Sequence, residues 1–178
     1  VKNTKIDMTP RLIASDPIND LALLKIPPVK VSIPPMAGRN TTNQGDTVVA
    51  IGYPLQGYLA AQMNVTTGTI SALAGPQNDA RLMQLTAPIQ VGNSGGPVLN
   101  EFGDVVGIVV SKLKADTILK ITGDTPQNIN FAIKLQMLEA FLEAHEISYK
   151  KAEARSSKRP MKTADIAKAA RAYAVAVT

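Results

Sequence analysis

Short apolar runs, each ended by a turn signal, constrain the fold more than any other feature of this sequence. Runs rich in Val, Ile, Leu and Thr alternate with clusters of Gly, Pro, Asn and Asp, for example at residues 16–19 and 75–79. This pattern is typical of short β-strands joined by turns. The predicted strands cover residues 11–14, 20–26, 46–51, 62–74, 80–86, 105–113 and 129–133. The sequence therefore predicts an all-β sandwich or barrel.

Helical periodicity begins only late in the chain. Leu135, Leu138, Phe141 and Leu142 follow one another at spacings of three and four, which predicts an amphipathic helix over residues 134–144. Beyond it, Thr163 is a candidate N-cap for a second short helix with Asp165 in its first turn.

The basic character of the chain comes from one segment. The net charge is +5 for 178 residues, and residues 148–162 carry this excess. The charged residues there are Lys150, Lys151, Glu153, Arg155, Lys158, Arg159 and Lys162. Such a stretch is typical of a solvated linker, which we expect to be dispensable for the fold, and no nucleic-acid partner is expected.

Composition also limits the chemistry. A hydrophobic content of 45% is enough for a packed core in one domain or two small ones. No apolar run is long enough to span a membrane. The chain has no cysteine and a single histidine, which excludes disulfides and a histidine-rich metal site. We expect no cofactor and no metal.

Residues 92–96, which read Gly-Asn-Ser-Gly-Gly, are the best candidate for a chemical site. A serine hydroxyl needs a base to take its proton, and the charge that then forms on the substrate needs donors already in place. Glycines on both sides of Ser94 allow backbone N–H groups to turn inward and substrate to pass closely. The same letters also suit an ordinary hairpin turn.

Four stretches in order make the chain similar to a known family. The quoted stretches are residues 19–24 (N-D-L-A-L-L), 45–54 (G-D-T-V-V-A-I-G-Y-P), 65–73 (V-T-T-G-T-I-S-A-L), and the serine loop followed by 130–133 (N-F-A-I). They resemble the trypsin-like serine proteases, and most of all their bacterial HtrA (Deg) branch. The resemblance extends over about residues 10–145 and implies two antiparallel β-barrels of the chymotrypsin type, the first incomplete here, with a C-terminal helix.

The resemblance also implies roles for particular residues. Ser94 is the expected nucleophile, and Asp20 is expected to orient a catalytic histidine. The backbone N–H groups of Gly92 and Ser94, shaped by Asn93, are the expected oxyanion hole. The expected specificity pocket comprises Pro88, Ile89, Gln90, Val91, Val110, Ser111 and Asn130. Asn130 stands where the family usually has glycine, which puts the pocket floor in doubt.

One part of the family pattern is missing. The family's histidine precedes its aspartate by about thirty residues, and none of the 19 residues before Asp20 is histidine. We therefore expect the histidine and the first strands of barrel one upstream of Val1, with an upstream segment or self-association covering the incomplete barrel. The domain prediction is residues 1–50 for the rest of barrel one, 51–147 for barrel two and its helix, and 148–178 for the linker and tail.

Other functional classes remain open at this point. An α/β-hydrolase would use Ser94, Asp116 or Asp124, and His145, but it needs a helix directly after the serine. His145 falls on the apolar face of the late helix, which favours a half-buried structural role. A protease-like domain that binds peptides without cleaving them is the third reading. The resemblance itself implies polypeptide substrates and a periplasmic or secreted location in a bacterium.

Overall fold

The computed structural model describes residues 9–28, 33–38, 41–53, 62–110, 129–154 and 157–175. Its strands are β1 (Arg11–Asp16), β2 (Leu21–Lys25), β3 (Thr47–Gly52), β4 (Asn64–Ala72), β5 (Leu82–Leu85), β6 (Pro97–Asn100), β7 (Val105–Val110) and β8 (Asn130–Lys134). Its helices are α1 (Leu135–Ala144) and α2 (Thr163–Ala170). The prediction of an all-β fold with a C-terminal helix is confirmed.

Six strands form a closed barrel. The order around it is β3-β4-β5-β8-β7-β6, and antiparallel pairing of β3 with β6 closes the ring. Closure leaves no free strand edge, so the backbone groups of each strand face partners on both sides. Met83, Leu85, Val98 and Leu99 are 0% exposed in the hydrophobic core of this barrel. The barrel therefore contains most of the buried core of the described chain.

Strands β1 and β2 form a separate two-stranded sheet. They pair antiparallel, with a register shift between Leu12 and Ala14. Leu21 is buried in a cluster with Ile133 and Phe141, which joins this sheet to the barrel and to α1. Leu12 and Ile13 remain exposed at 58% and 45%. This sheet rests on the barrel through a small number of apolar side chains.

The boundary predicted at residue 50 falls inside a strand. β3 pairs with β4 along its whole length and with β6 from Val48 to Ala50. The strand therefore belongs to the closed barrel, and the boundary has to lie before Thr47. Strand patterns alone do not reveal which barrel a strand joins, because pairing partners are distant in sequence.

The prediction of a solvated basic linker is wrong at Lys158, although the other described basic residues of 148–162 are exposed. Met36 forms parallel bridges to both Val105 and Lys151, so this stretch is hydrogen bonded to the chain that borders β7. Lys158 Nζ lies 2.6 Å and 2.8 Å from the two carboxylate oxygens of the buried Asp104. One of the basic charges is thus neutralised against the barrel instead of being solvated.

One local prediction also needs correction. α2 begins at Thr163, but Lys162 is the N-cap and no described side chain caps the helix. The pairing of β4 with β5 shifts register between Ile70 and Ala72. Among the described residues, no helix is long and apolar enough to cross a membrane.

Candidate active site

Two tight turns shape the serine loop, which comprises residues 92–96. The Asn93 N–H donates to Gln90 O at 3.0 Å, and the Gly96 N–H donates to Asn93 O at 3.0 Å. Gly92 and Gly95 have φ angles of 97° and 80°, a region in which side chains are strained. The glycines on either side of Ser94 are therefore required by the backbone path itself.

Strand β7 fixes the loop from one side. The Gly95 N–H donates to Val109 O at 2.9 Å, and the Val109 N–H donates to Gly96 O at 2.8 Å. Ser94 is exposed between these anchored residues. Within the described residues, the Gly92 N–H takes part in none of the backbone hydrogen bonds that hold the loop. The loop thus combines a fixed backbone with an exposed hydroxyl and an N–H group that could bind an anion.

The end of β3 closes on the loop from another side. A Cβ added at Gly96 would lie 2.0 Å from Ile51 O, and one added at Gly52 would lie 2.5 Å from Asn93 Oδ1. Both distances are far below van der Waals contact, so only glycine allows this approach. Asn93 is 4% exposed, and its Oδ1 has no hydrogen-bond partner in the described part of the chain. A buried acceptor without a hydrogen bond costs stability, so its presence needs an explanation. A functional role of the loop is a common one.

The residues predicted to form a specificity pocket lead into this loop. Pro88, Gln90 and Val91 are exposed, while Ile89 packs partly against the barrel core. Asn130 Nδ2 donates to Ala87 O at 2.9 Å, which ties the start of β8 to this segment. Val110 follows the loop's anchor on β7, and Ser111 lies outside the described residues. Residues 88–91 thus lead directly into the serine loop, Asn130 contacts the chain just before them, and Val110 follows the loop's anchor on β7.

Asp20 lies elsewhere, at the turn that joins β1 to β2. It is exposed and has a φ of 53°, a conformation that aspartate tolerates better than most residues. The next residue, Leu21, belongs to the same apolar cluster as Ile108 and Val110. The turn that contains Asp20 and the serine loop therefore both contact β7, the first through Leu21 and the second through backbone hydrogen bonds to Val109.

Ion pairs and hydrogen bonds stabilise this turn. Asp16 accepts hydrogen bonds from the Ile18 and Asn19 N–H groups and from Asn19 Nδ2. The Asn19 side chain in particular lowers the pKa of Asp16. Arg81 joins the turn to the barrel, because its Nη1 donates to Ile18 O at 2.9 Å while its other nitrogens bind Asp79. Hydrogen bonding from Arg81 lowers the pKa of Asp79.

Comparison with known proteins agrees with this arrangement. The family described as the trypsin-like peptidase domain matches residues 1–108, which is more than half of the chain. The chain belongs to the trypsin-like peptidase family. Serine protease HTRA2 of Drosophila grimshawi is 32% identical over 154 residues, covering 83% of this chain and 32% of its own length. Among trypsin-like peptidases, the similarity is to the HtrA type.

Two further relatives extend the comparison. The crystal structure of the serine endoprotease from Yersinia pestis matches this trypsin-like peptidase domain with a TM-score of 0.61 and 33% identity, covering 77% of this chain and 44% of that one. The uncharacterized protein y4bJ of Sinorhizobium fredii (strain NBRC 101917 / NGR234) is 42% identical over 167 residues, covering 94% of this chain and 26% of its own length. The chain thus spans about a quarter to a third of the curated relatives it matches.

His145 of this trypsin-like peptidase domain is exposed and caps the end of α1. Its Nδ1 lies 2.8 Å from Phe141 O, and its ring centroid lies 4.7 Å from that of Phe141. The expected half-buried position is therefore wrong, although the local contacts agree with a structural role. His145 and residues 15–19 line the same surface cavity of about 370 Å³.

The nucleophile elbow of an α/β-hydrolase does not fit this trypsin-like peptidase domain. Strand β6 begins at Pro97, directly after the serine loop, where the elbow needs a helix. Asp116 and Asp124, the acids that this alternative requires, lie outside the described residues.

Sequence reasoning missed the role of β3 in the site. Gly52 approaches Asn93, and Gly96 approaches Ile51 O, because β3 and β6 are neighbours in the closed barrel. The available signal was a glycine directly after the apolar run at residues 48–51, a position where close approach of another chain segment is common.

Proposed function

We propose that this domain is a serine endopeptidase of the HtrA type that acts through an acyl-enzyme with Ser94 as nucleophile. The observation that carries the proposal is the exposed Ser94 on a glycine-flanked loop that β7 and β3 hold in place. A nucleophile reacts faster when its backbone is fixed before the substrate binds, because the entropy cost of positioning it has already been met.

The N–H groups of Gly92 and Ser94 stabilise the oxyanion in this proposal, and Asn93 shapes the loop beneath them. Removing one such donor from a related site typically costs a factor of about a hundred to a thousand in rate. His145, the single histidine of the present sequence, is engaged at the end of α1, and Asp20 orients a different histidine. That histidine takes the proton from Ser94 Oγ and passes it to the leaving amine.

The substrates are polypeptides with a small or medium apolar side chain at the cleavage position. Support comes from the wall residues Pro88, Ile89 and Val91, which bring no acid that could pair with Lys or Arg. Placing an unpaired charge against them would be costly. Profiling the complete protein on a peptide library tests this preference, and strong selection for Arg or Lys would contradict it.

The central test uses the complete protein that contains this chain. Ser94→Ala should lower turnover by a factor of about a million, as triad serines do in related enzymes. Asp20→Asn should lower it by a factor of about ten thousand, because the histidine then takes the wrong tautomer. His145→Ala is the matched control and should leave turnover unchanged.

Two results would overturn the proposal. Turnover that survives Ser94→Ala would show that another residue is the nucleophile. Peptide binding without any cleavage by the complete wild-type protein would instead favour a protease-like binding domain.

A further inference from the structure

The C-terminal segment, defined here as residues 150–154 and 157–175, follows the outside of the barrel towards the serine loop. It starts beside Met36, whose N–H donates to Lys150 O at 2.8 Å, while the Ala152 N–H donates to Met36 O at 2.7 Å. The Met161 N–H then donates to Glu101 O at 2.8 Å, in the turn between β6 and β7. α2 packs next against β3, where Ile166 is 2% and Ala170 0% exposed.

The segment ends on the strand end that supports the loop. The hydroxyl of Tyr53 donates to Ala174 O at 3.1 Å. Tyr53 directly follows Gly52, whose Cα faces the Asn93 side chain, and Ile51 O faces Gly96. Within this short stretch, Ile51 and Gly52 therefore contact the serine loop, and the next residue, Tyr53, binds the C-terminal segment.

We propose that the C-terminal segment is a positioning clamp for the serine loop, acting through residues 51–53 at the end of β3 and through the turn between β6 and β7. Tyr53 is a positioning residue in this proposal, since it acts through the backbone and not on substrate. The catalytic part of the inference rests on the proposed function of Ser94.

Two buried contacts give the clamp its strength. The Lys158–Asp104 pair lies at the base of β7, and a charge-assisted contact of 2.6 Å is among the stronger side-chain interactions. Ile166 and Ala170 belong to the same core cluster as the barrel strands. A segment held only by solvated charges would separate easily, whereas this one cannot leave without exposing core residues and an unpaired Asp104.

The C-terminal segment lies beyond the family match. That match ends at residue 108, well before the segment begins. The match to the Sinorhizobium fredii protein covers 94% of this chain, so it extends into the segment. The clamp is therefore not inferred from the family match, although residues 51–53 lie within it.

Steady-state kinetics on the complete protein give the first test. Tyr53→Phe removes only the hydroxyl that binds Ala174 O, and we expect kcat to fall about fivefold with KM unchanged, the worth of one hydrogen bond. Tyr149→Phe is the matched control, because it also removes a phenol hydroxyl, here bound to Glu139 and Glu143 on α1. Equal kinetics for the wild type and Tyr53→Phe would contradict the role of Tyr53.

Hydrogen exchange of the complete protein gives a second test that needs no activity. Ile166→Ala weakens the packing of α2 on β3, and we expect the Gly95 and Val109 amides to exchange at least about tenfold faster. Amides of β5 and β8 serve as internal references, and Leu142→Ala on α1 is the matched variant. If the Gly95 and Val109 amides accelerate no more than those references, the clamp does not exist.

The two tests separate the two proposals. A complete protein without turnover whose Gly95 and Val109 amides respond to Ile166→Ala would overturn the proposed function and keep the clamp. Turnover that depends on Ser94 but is unchanged by Tyr53→Phe, together with Gly95 and Val109 amides that do not respond to Ile166→Ala, would keep the proposed function and overturn the clamp.

Discussion

The closed barrel and the two-stranded sheet contain similar apolar runs, but their strands differ in how many neighbouring strands flank them. β3 is buried along nearly its whole length because β4 and β6 flank it and the core fills one side. β1 has the comparably apolar run Leu12-Ile13-Ala14, yet its side chains are mostly exposed. The comparison indicates that closure of the barrel, and not the apolar content of a strand, decides which strands are buried.

This difference also divides the candidate site. Ser94 lies on a loop that two barrel strands fix, whereas Asp20 lies on the turn of the sheet. Arg81 and a small apolar cluster around Leu21 join that sheet to the barrel and to α1. Precise placement of Asp20 relative to Ser94 therefore depends on few contacts, and these contacts are the ones to test.

The largest expected effect compares the two regions through matched leucines. Leu99→Ala removes a fully buried side chain from the barrel and should cost about 4 kcal/mol of unfolding free energy. Leu12→Ala removes one that is 58% exposed and should change it by less than about 0.5 kcal/mol. Urea denaturation measures both. Similar costs would break the proposed distinction between barrel and sheet.

The next effect concerns the buried pair that joins the C-terminal segment to the barrel. Lys158→Met leaves Asp104 buried without its cation, and we expect a loss of about 3 kcal/mol. Lys162→Met is the matched control on an exposed lysine of the same segment and should be nearly neutral. Thermal melting measures both variants. A neutral Lys158→Met would restore the solvated-linker prediction.

Two adjacent glycines in the serine loop should differ in cost. Gly96→Ala forces a methyl group against Ile51 O and should destabilise the barrel by about 2 kcal/mol. Gly95→Ala meets no atom within 4 Å and carries only the strain of its positive φ, about 1 kcal/mol. Denaturation midpoints of the two variants test this order, and the reverse order would show that β3 does not press on the loop.

The smallest effect is a pH dependence at the junction of sheet and barrel. Arg81 lowers the folded-state pKa of Asp79, so this carboxylate stabilises the fold above its ordinary pKa, and the contribution is lost as pH falls through the folded-state pKa. Asp79→Asn should therefore lower stability slightly at pH 7 and flatten the acid decline below about pH 4. Urea midpoints between pH 2.5 and 7 measure this. An unchanged acid decline would mean that the pair contributes nothing.

Most barrel strands could be predicted because each follows a local pattern. The apolar run at residues 48–51 indicates a strand whatever its partners, and the glycines around Ser94 indicate a tight loop. The same local rules predicted β1 and β2 equally well.

Pairing and burial of charges could not be predicted in the same way. β3 joins the barrel through Val98 and Leu99, about fifty residues away, and no local pattern encodes that register. The local sequence around Lys158 is typical of a solvated lysine, but in the folded chain its side chain lies against the buried Asp104. Both errors have one cause, which is that contacts between distant residues decided the outcome.

Covalent labelling of the complete protein tests the central claim most directly. A fluorophosphonate reacts with a serine hydroxyl only where a base activates it and donors receive the developing charge. Peptide mass spectrometry should find the label on Ser94 alone, and Asp20→Asn should slow labelling strongly while His145→Ala leaves its rate unchanged. A label on another residue, or labelling of Ser94 that His145→Ala abolishes, would contradict the account.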